Sequence, residues 1–263
     1  MSGYCKIDGV ARKIKGGYCK IDGVARKIIK GYVGDENGKA RLVYSSGKKL
    51  SEYTVGSTVY LNENGIPVEY LIVHHGIPSD LYDASCDGVW LLRKDCHSER
   101  VFDADRDNNY ANSDIHSYLN NDFIALFDSK VQNIIKQVKI PYRNSSGVIS
   151  GENGLSTKVF LLGGNEVGFT RSNNSSLPID GAKLNYFDDG TDASANAKRI
   201  AYLDGTSVYW WTRSSHITNG QYVFDVSTSG KVAGEYVYNN DAVRPALILP
   251  FDVLVDDAFN ILV

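Results

Sequence analysis

The sequence predicts an α+β fold. Helical patterns occur only in the middle of the chain. The last quarter reads as strand after strand, with a turn signal between each pair. The first 44 residues are short, hairpin-like repeats. Strands and helices are segregated along the chain rather than alternating, which argues for α+β over a parallel α/β sheet. The 263 residues allow one large domain and a small appendage. Apolar residues make up 43% and charged residues 22%, as in a soluble globular protein. The net charge of -3 gives no general attraction to nucleic acid or an anionic membrane. Seventeen tyrosines stand against one methionine, and tyrosine supplies broad amphipathic area with few torsions to freeze.

The first element is the repeat. Gly3-Tyr4-Cys5-Lys6-Ile7-Asp8-Gly9-Val10-Ala11-Arg12-Lys13-Ile14 recurs from Gly17 to Ile28, and a looser third copy runs over 31–43. Each copy holds two short runs around Asp-Gly or Asn-Gly, the pairs that accept positive φ in a tight hairpin. The period of roughly 14 residues is too short for helical repeats and fits stacked hairpins, which cannot bury a core alone. Residues 1–44 therefore read as an attachment or oligomerisation segment; the alternative is a flexible basic tail. Residues 45–51 read as a polar linker and 52–263 as the globular domain. No apolar run is long enough to span a bilayer, and Met1-Ser2-Gly3-Tyr4-Cys5-Lys6 lacks the apolar core of a signal peptide. The expectation is a protein without membrane insertion, leaving the cell, if it does, by a route other than ordinary secretion.

Within the domain, 58–61 and 68–73 read as strands around a Glu63-Asn64-Gly65 turn, and 89–92 as a buried strand. Ser113 and Asp114 start a helix carrying Ile115, Tyr118 and Leu119. Asp128 and Ser129 start a second, with Val131, Ile134, Ile135 and Val138 at helical spacing and Pro141 ending it. Residues 159–162 are a strand, and 172–200, rich in Asn, Ser, Asp and Gly, read as a long loop. From Val208 on, turns at Thr218-Asn219-Gly220, Ser229-Gly230 and Asn239-Asn240-Asp241 mark a β-meander.

Tyr209-Trp210-Trp211-Thr212-Arg213-Ser214 and Val243-Arg244-Pro245-Ala246-Leu247 together resemble the closing signature of a domain family common in gut Firmicutes and their phages. Thr212 and Ser215 replace that family's usual leucine and proline. Asn112-Ser113-Asp114-Ile115 with Tyr118-Leu119-Asn120, and Lys158-Val159-Phe160-Leu161-Leu162 with Glu166-Val167, resemble its upstream landmarks. The similarity covers roughly 55–250. The family is similar in layout to C-type-lectin-like and formylglycine-generating-enzyme-like domains. Its Asn-rich closing stretch resembles the variable segment of proteins diversified by retroelements, in which adenine-targeted mutagenesis alters Asn codons. The N-terminal repeats resemble segments of phage tail proteins.

The resemblance implies a ligand face on the last strands. Candidate ligand-binding residues are Ser214, Ser215, His216, Thr218, Asn219, Gln221, Tyr222, Asp225, Tyr236, Tyr238, Asn239, Asn240 and Asp241: tyrosines for area, Ser and Asn for adaptable hydrogen bonds. Trp210, Trp211 and Arg244 read as framework, with one indole inward, one outward, and Arg244 in a buried ion pair. Asp103, Asp105 and Asp107, with Asp114, resemble a calcium loop, but Asn108 stands where glycine would make the turn and Asp114 is shorter than the usual glutamate, so the expectation is no metal and a solvated loop with a helix cap. The Glu-Pro-Asn, Gln-Pro-Asp and Trp-Asn-Asp motifs of calcium-dependent sugar binding are absent. His74 and His75, adjacent on a strand, face opposite ways and read as structural. His97 beside Cys96 has no evident third partner. Cys86 and Cys96 read as free thiols or a disulfide. No phosphate loop, Gly-x-Ser-x-Gly or His-Glu-x-x-His occurs, and no cysteine follows Cys96 to carry formylglycine-type chemistry.

The expectation is a non-enzymatic, cofactor-free, phage tail-associated protein at the virion or a bacterial surface. It would bind a protein or glycan on bacterial cells, meet other tail proteins through its repeats, and form a homotrimer. No nucleic-acid partner is expected. The alternative is a bacterial surface module whose lectin-like fold is scaffold only.

Overall fold

A computed structural model describes the strands between Tyr4 and Ser45 as backbone, and residues 47–262 in full. Tyr4–Ile7 pairs with Val10–Lys13, Tyr18–Ile21 with Val24–Lys27, and Lys30–Gly34 with Ala40–Ser45, all antiparallel. Three successive hairpins therefore stand where the repeat predicts them. The Asp8-Gly9, Asp22-Gly23 and Asn37-Gly38 turns lie outside the described residues.

Ten strands build two sheets: β1 (Thr58–Glu63), β2 (Ile66–His75), β3 (Val89–Arg93), β4 (Ser98–Val101), β5 (Val159–Leu161), β6 (Trp210–Ser215), β7 (Tyr222–Val226), β8 (Val232–Tyr236), β9 (Asn240–Val243) and β10 (Pro245–Leu249). The first sheet runs β5-β10-β3-β2-β1, antiparallel throughout. The second runs β4-β9-β6-β7-β8. Three α-helices lie among the described residues: α1 (Asp114–Tyr118), α2 (Ser129–Ile134) and α3 (Ala193–Arg199). The fold is strand-rich α+β.

Local chemistry explains much of this. Asn64 and Gly65, at φ of 50 and 81, turn β1 into β2. Val89, Trp90, Leu91 and Leu92 are all buried, because β3 is covered on both faces. Trp90 anchors that core with its edge against Tyr82 and Phe160. The Ser113 hydroxyl caps α1 through the His116 N–H, and the Asp128 carboxylate caps α2 through the N–H groups of Lys130 and Val131. Asn120 ties the turn after α1 to β5: its Oδ1 accepts from Lys158 N and Val159 N, and its Nδ2 donates to Val159 O.

Four expectations need correction. α2 stops at Ile134 rather than near Pro141, because Val138–Ile140 pairs with Leu155–Thr157 as a strand. The 172–200 stretch ends in α3, capped by the Asp192 carboxylate. The linker is partly built into the body. Lys48–Lys49 pairs with Leu254–Val255, and Leu50 is fully buried with its N–H on Val253 O. Finally, the closing strands are a meander only through β6, β7 and β8. The chain then crosses to the other side of β6, where β9 pairs with it in parallel at Trp210↔Ala242, and β10 leaves for the centre of the first sheet.

Candidate functional site

The rigid base of the site is a buried ion pair. Arg213 and Glu166 are both fully buried and meet bidentately, Nη1 to Oε2 and Nη2 to Oε1, each at 2.6 Å. The guanidinium also donates to the carbonyls of Pro141, Leu161 and Asp180, while Glu166 accepts from Tyr82 Oη and Gly163 N. Five segments distant in sequence converge on one charge pair. Its partners are complete, as a buried pair requires if it is not to destabilise the fold.

Directly after Ser215 the chain leaves β6 as a loop, 216–221, that returns as β7. Asn108 pins it. This buried side chain donates through Nδ2 to the carbonyls of His216, Asn219 and Tyr222, at 2.9–3.2 Å, and the backbone carbonyl of Asn108 accepts from Ser215 Oγ. Inside the loop, His216 Nδ1 accepts from Thr218 N and Asn219 N. That arrangement needs the neutral imidazole with its proton on Nε2. Burial and the nearby Arg143 charge lower the His216 pKa and favour that form. Arg143, on the neighbouring Tyr142–Asn144 strand, reaches across to Ile217 O at 3.1 Å. Between this loop, Asp107-Asn108-Asn109 and Arg143 with Ser145 lies a cleft of about 300 Å³.

Beside the cleft runs a row of rings. Tyr222 and Tyr236 face each other across β7 and β8 and meet edge to face at 5.1 Å. Tyr236 and Tyr238 stack at 5.2 Å, and the Arg106 guanidinium lies 4.7 Å from the Tyr238 ring. Tyr236 and Tyr238 are 40% and 36% exposed, unusual for tyrosines held this firmly. Such pairs gain about 0.5–1.5 kcal/mol beyond area burial, so the row is preorganised.

The expected ligand residues divide into three groups. Thr218, Asn219, Gln221, Tyr236, Tyr238, Asn239 and Asn240 are exposed, and His216, Tyr222 and Asp241 are half-buried. Ser214, Ser215 and Asp225 are buried and do not face solvent. Ser214 Oγ donates to Asp180 Oδ1 and accepts from Gly164 N, so it belongs to the Arg213 network. The framework expectation for Trp210, Trp211 and Arg244 needs two corrections. Both indoles are buried, since protein covers both faces of β6: Trp210 Nε1 donates to Arg199 O and Trp211 Nε1 to Arg100 O. Arg244 makes no ion pair among the described residues. It donates to the carbonyls of Arg93, Lys94 and Arg199 and lies over the Trp210 ring.

Asp225, on β7, and Asp241, on β9, are buried and half-buried neighbours whose carboxyls act on each other's protonation. Asp225 Oδ1 and Asp241 Oδ2 are buried with no hydrogen-bond partner among the described residues. A shared proton accounts for both oxygens. Burial first, then the Asp241 charge, raises Asp225 to about 9. Burial also raises Asp241, to about 6, with Glu235 and Glu99 adding negative charge.

The carboxylates of the weak calcium candidate, the 103–107 run with Asp114, accept mostly from the backbone of their own loop. Asp103 accepts from Asp105 N and Asp107 N, Asp107 from Asn109 N, and Asp114 from Ala104 N. They brace their own loop, and among the described residues no three His, Cys, Asp or Glu side chains converge on a cation position. Cys86 and Cys96 are buried free thiols, each pushed up to about 12 mainly by burial. His74 Nδ1 accepts from Asn185 N, and His75 packs its ring against Phe251. His97 lies edge-on to Phe123.

Sequence reasoning missed Asn108, Asn109, Arg106, Arg143 and Ser145 as parts of this site. The acidic 103–110 run marked the right loop for the wrong reason. Nothing local flags the 142–149 hairpin.

The chain is thus a strand-rich α+β domain with a preorganised polar and aromatic surface on one loop. Residues 87–251 match the family described as a domain of unknown function (DUF6273), and the chain belongs to that family. Comparison with curated proteins and with solved structures gives no match.

Proposed function

We propose that the chain is a phage tail-associated ligand-binding protein. Its domain, similar to C-type-lectin-like scaffolds, presents the 216–221 loop and the Tyr222–Tyr236–Tyr238 row to a protein or glycan on a bacterial surface. The observation that carries this is the row itself: exposed tyrosines fixed by ring contacts and by Arg106, next to a polar cleft, on a frame braced by Arg213–Glu166. Rigid aromatic anchors flanked by adaptable polar groups are what a binding surface needs. The N-terminal hairpins would join other tail proteins or further copies in a trimer, and several copies would offset weak single-site affinity.

No catalytic step is proposed. Among the buried groups, Glu166 is committed to Arg213 and both thiols to the core. If retroelement diversification acts here, the exposed positions are its targets, while Ser214, Ser215 and Asp225 stay fixed. A reverse transcriptase and a near-copy of the 209–247 coding stretch beside the gene would support that.

The test is adsorption of the labelled full chain to a panel of gut Firmicutes. Tyr236→Ala with Tyr238→Ala should abolish adsorption and leave the melting temperature nearly unchanged. Tyr222 is left intact because its ring packs against Gly234. Undiminished adsorption by the double variant contradicts the proposal.

A further inference from the structure

We infer that the cleft between Asp107–Asn109, Arg143–Ser145 and the 216–220 loop is a metal-independent subsite for a saccharide unit bearing vicinal hydroxyls; this rests on the ligand-binding reading of the same face. Two opposite charges, Asp107 and Arg143, line one cleft of about 300 Å³, yet no ion pair joins them. Each keeps unused capacity. Asp107 accepts one backbone N–H, from Asn109, on Oδ1, which leaves Oδ2 free. The Arg143 guanidinium makes a single hydrogen bond, to Ile217 O. Asn109 uses its Oδ1 on Ala111 N and leaves its amide donors to the cleft, where Ser145 adds a hydroxyl.

This set of acceptors and donors matches adjacent hydroxyl groups, each of which both donates and accepts. A carboxylate takes two hydroxyl hydrogens while the guanidinium and amide approach the hydroxyl oxygens. The volume is at the low end of small-ligand sites and suits about one or two sugar rings. A peptide fits less well. Ile217 is the single large apolar side chain on the lining, so there is no pocket for an apolar anchor. The Asp103 and Asp107 carboxylates accept from backbone N–H groups, and among the described residues no three carboxylates converge on a cation position, so binding does not call for calcium.

The experiment uses the full chain and immobilised wall polysaccharide extracted from a strain that it adsorbs to, before and after periodate, which cleaves vicinal diols. Wild type should bind the untreated polysaccharide in EDTA and lose binding after periodate. Arg143→Gln and Asp107→Asn should each weaken binding at least tenfold without a change in melting temperature. Binding that survives periodate, or that neither variant weakens, overturns the subsite. So does adsorption removed by protease treatment of the cells but not by periodate, which would make the ligand a protein and leave the wider ligand-binding reading intact. No adsorption of wild type to any strain removes that wider reading and this inference with it.

Discussion

Asp225→Asn should stabilise the domain at neutral and alkaline pH. In the wild type, burial raises the pKa of both Asp225 and Asp241, so a proton shared between them is expected, and Glu235 and Glu99 add negative charge from β8 and β4. Arg100, opposite Asp241 in register, lies 3.5 Å from the Tyr118 ring and is turned to that contact. Folding therefore binds a proton that the unfolded chain releases near pH 4. Because both pKa values are raised in the fold, the stability the pair contributes is full below that pH and is lost as pH rises through the raised values. One proton corresponds to about 1.4 kcal/mol per pH unit. Between pH 6 and 8 the wild type should lose on the order of 1–3 kcal/mol from this pair, allowing for the screening that half-exposed Asp241 receives. Asparagine has the same shape, and its amide N–H replaces the shared proton, so this slope should vanish. At about 2–4 °C per kcal/mol, the melting-temperature gap should widen by about 4–10 °C from pH 6 to pH 8. Differential scanning fluorimetry at both pH values measures it. A gap independent of pH, or a variant less stable at pH 8, refutes the shared proton.

Three further outcomes follow from the same geometry. Glu166→Gln leaves Arg213 charged and buried without its counter-ion and should cost about 3–5 kcal/mol in urea unfolding; a loss under 1 kcal/mol contradicts the network. Gly230→Ala should be strongly destabilising, because Gly230 sits at φ of 76 and an added methyl would run into the Asn196 carbonyl; a variant as stable as wild type contradicts that packing. The 216–221 loop should loosen in acid. A His whose folded pKa is lowered stabilises above about pH 6.5 and loses that effect as pH falls, so NMR order parameters at Thr218 and Asn219 should drop between pH 7.5 and 5, and unchanged values contradict the Nδ1 acceptor role.

Local signals in the sequence mark most elements: the Asn64-Gly65 turn, the caps at Ser113 and Asp128, and the continuous apolar strand at Val89–Leu92. The misses have physical causes. α3 buries Ala195, Asn196 and Arg199, a small and polar face that carries no apolar periodicity. Ile135 and Val138 continue the α2 spacing, but the strand formed with Leu155–Thr157 claims Val138. The parallel placement of β9 beside β6 depends on packing far along the chain. The site divides the same way. Tyr236, Tyr238 and the 218–221 turn are readable as exposed polar and aromatic positions. Ser214, Ser215 and Asp225 look identical in composition and are buried. Asn108 and Arg143 reach the loop only through the tertiary fold.

Hydrogen–deuterium exchange on the full chain, with and without wall extract from a strain that it adsorbs to, tests the central claim most directly. Protection should concentrate in 105–110, 216–222 and 234–241, the segments that carry the cleft and the tyrosine row. Protection confined to β1 and β2 at the edge of the first sheet, or none on the 216–222 loop, would place the ligand elsewhere and contradict the account.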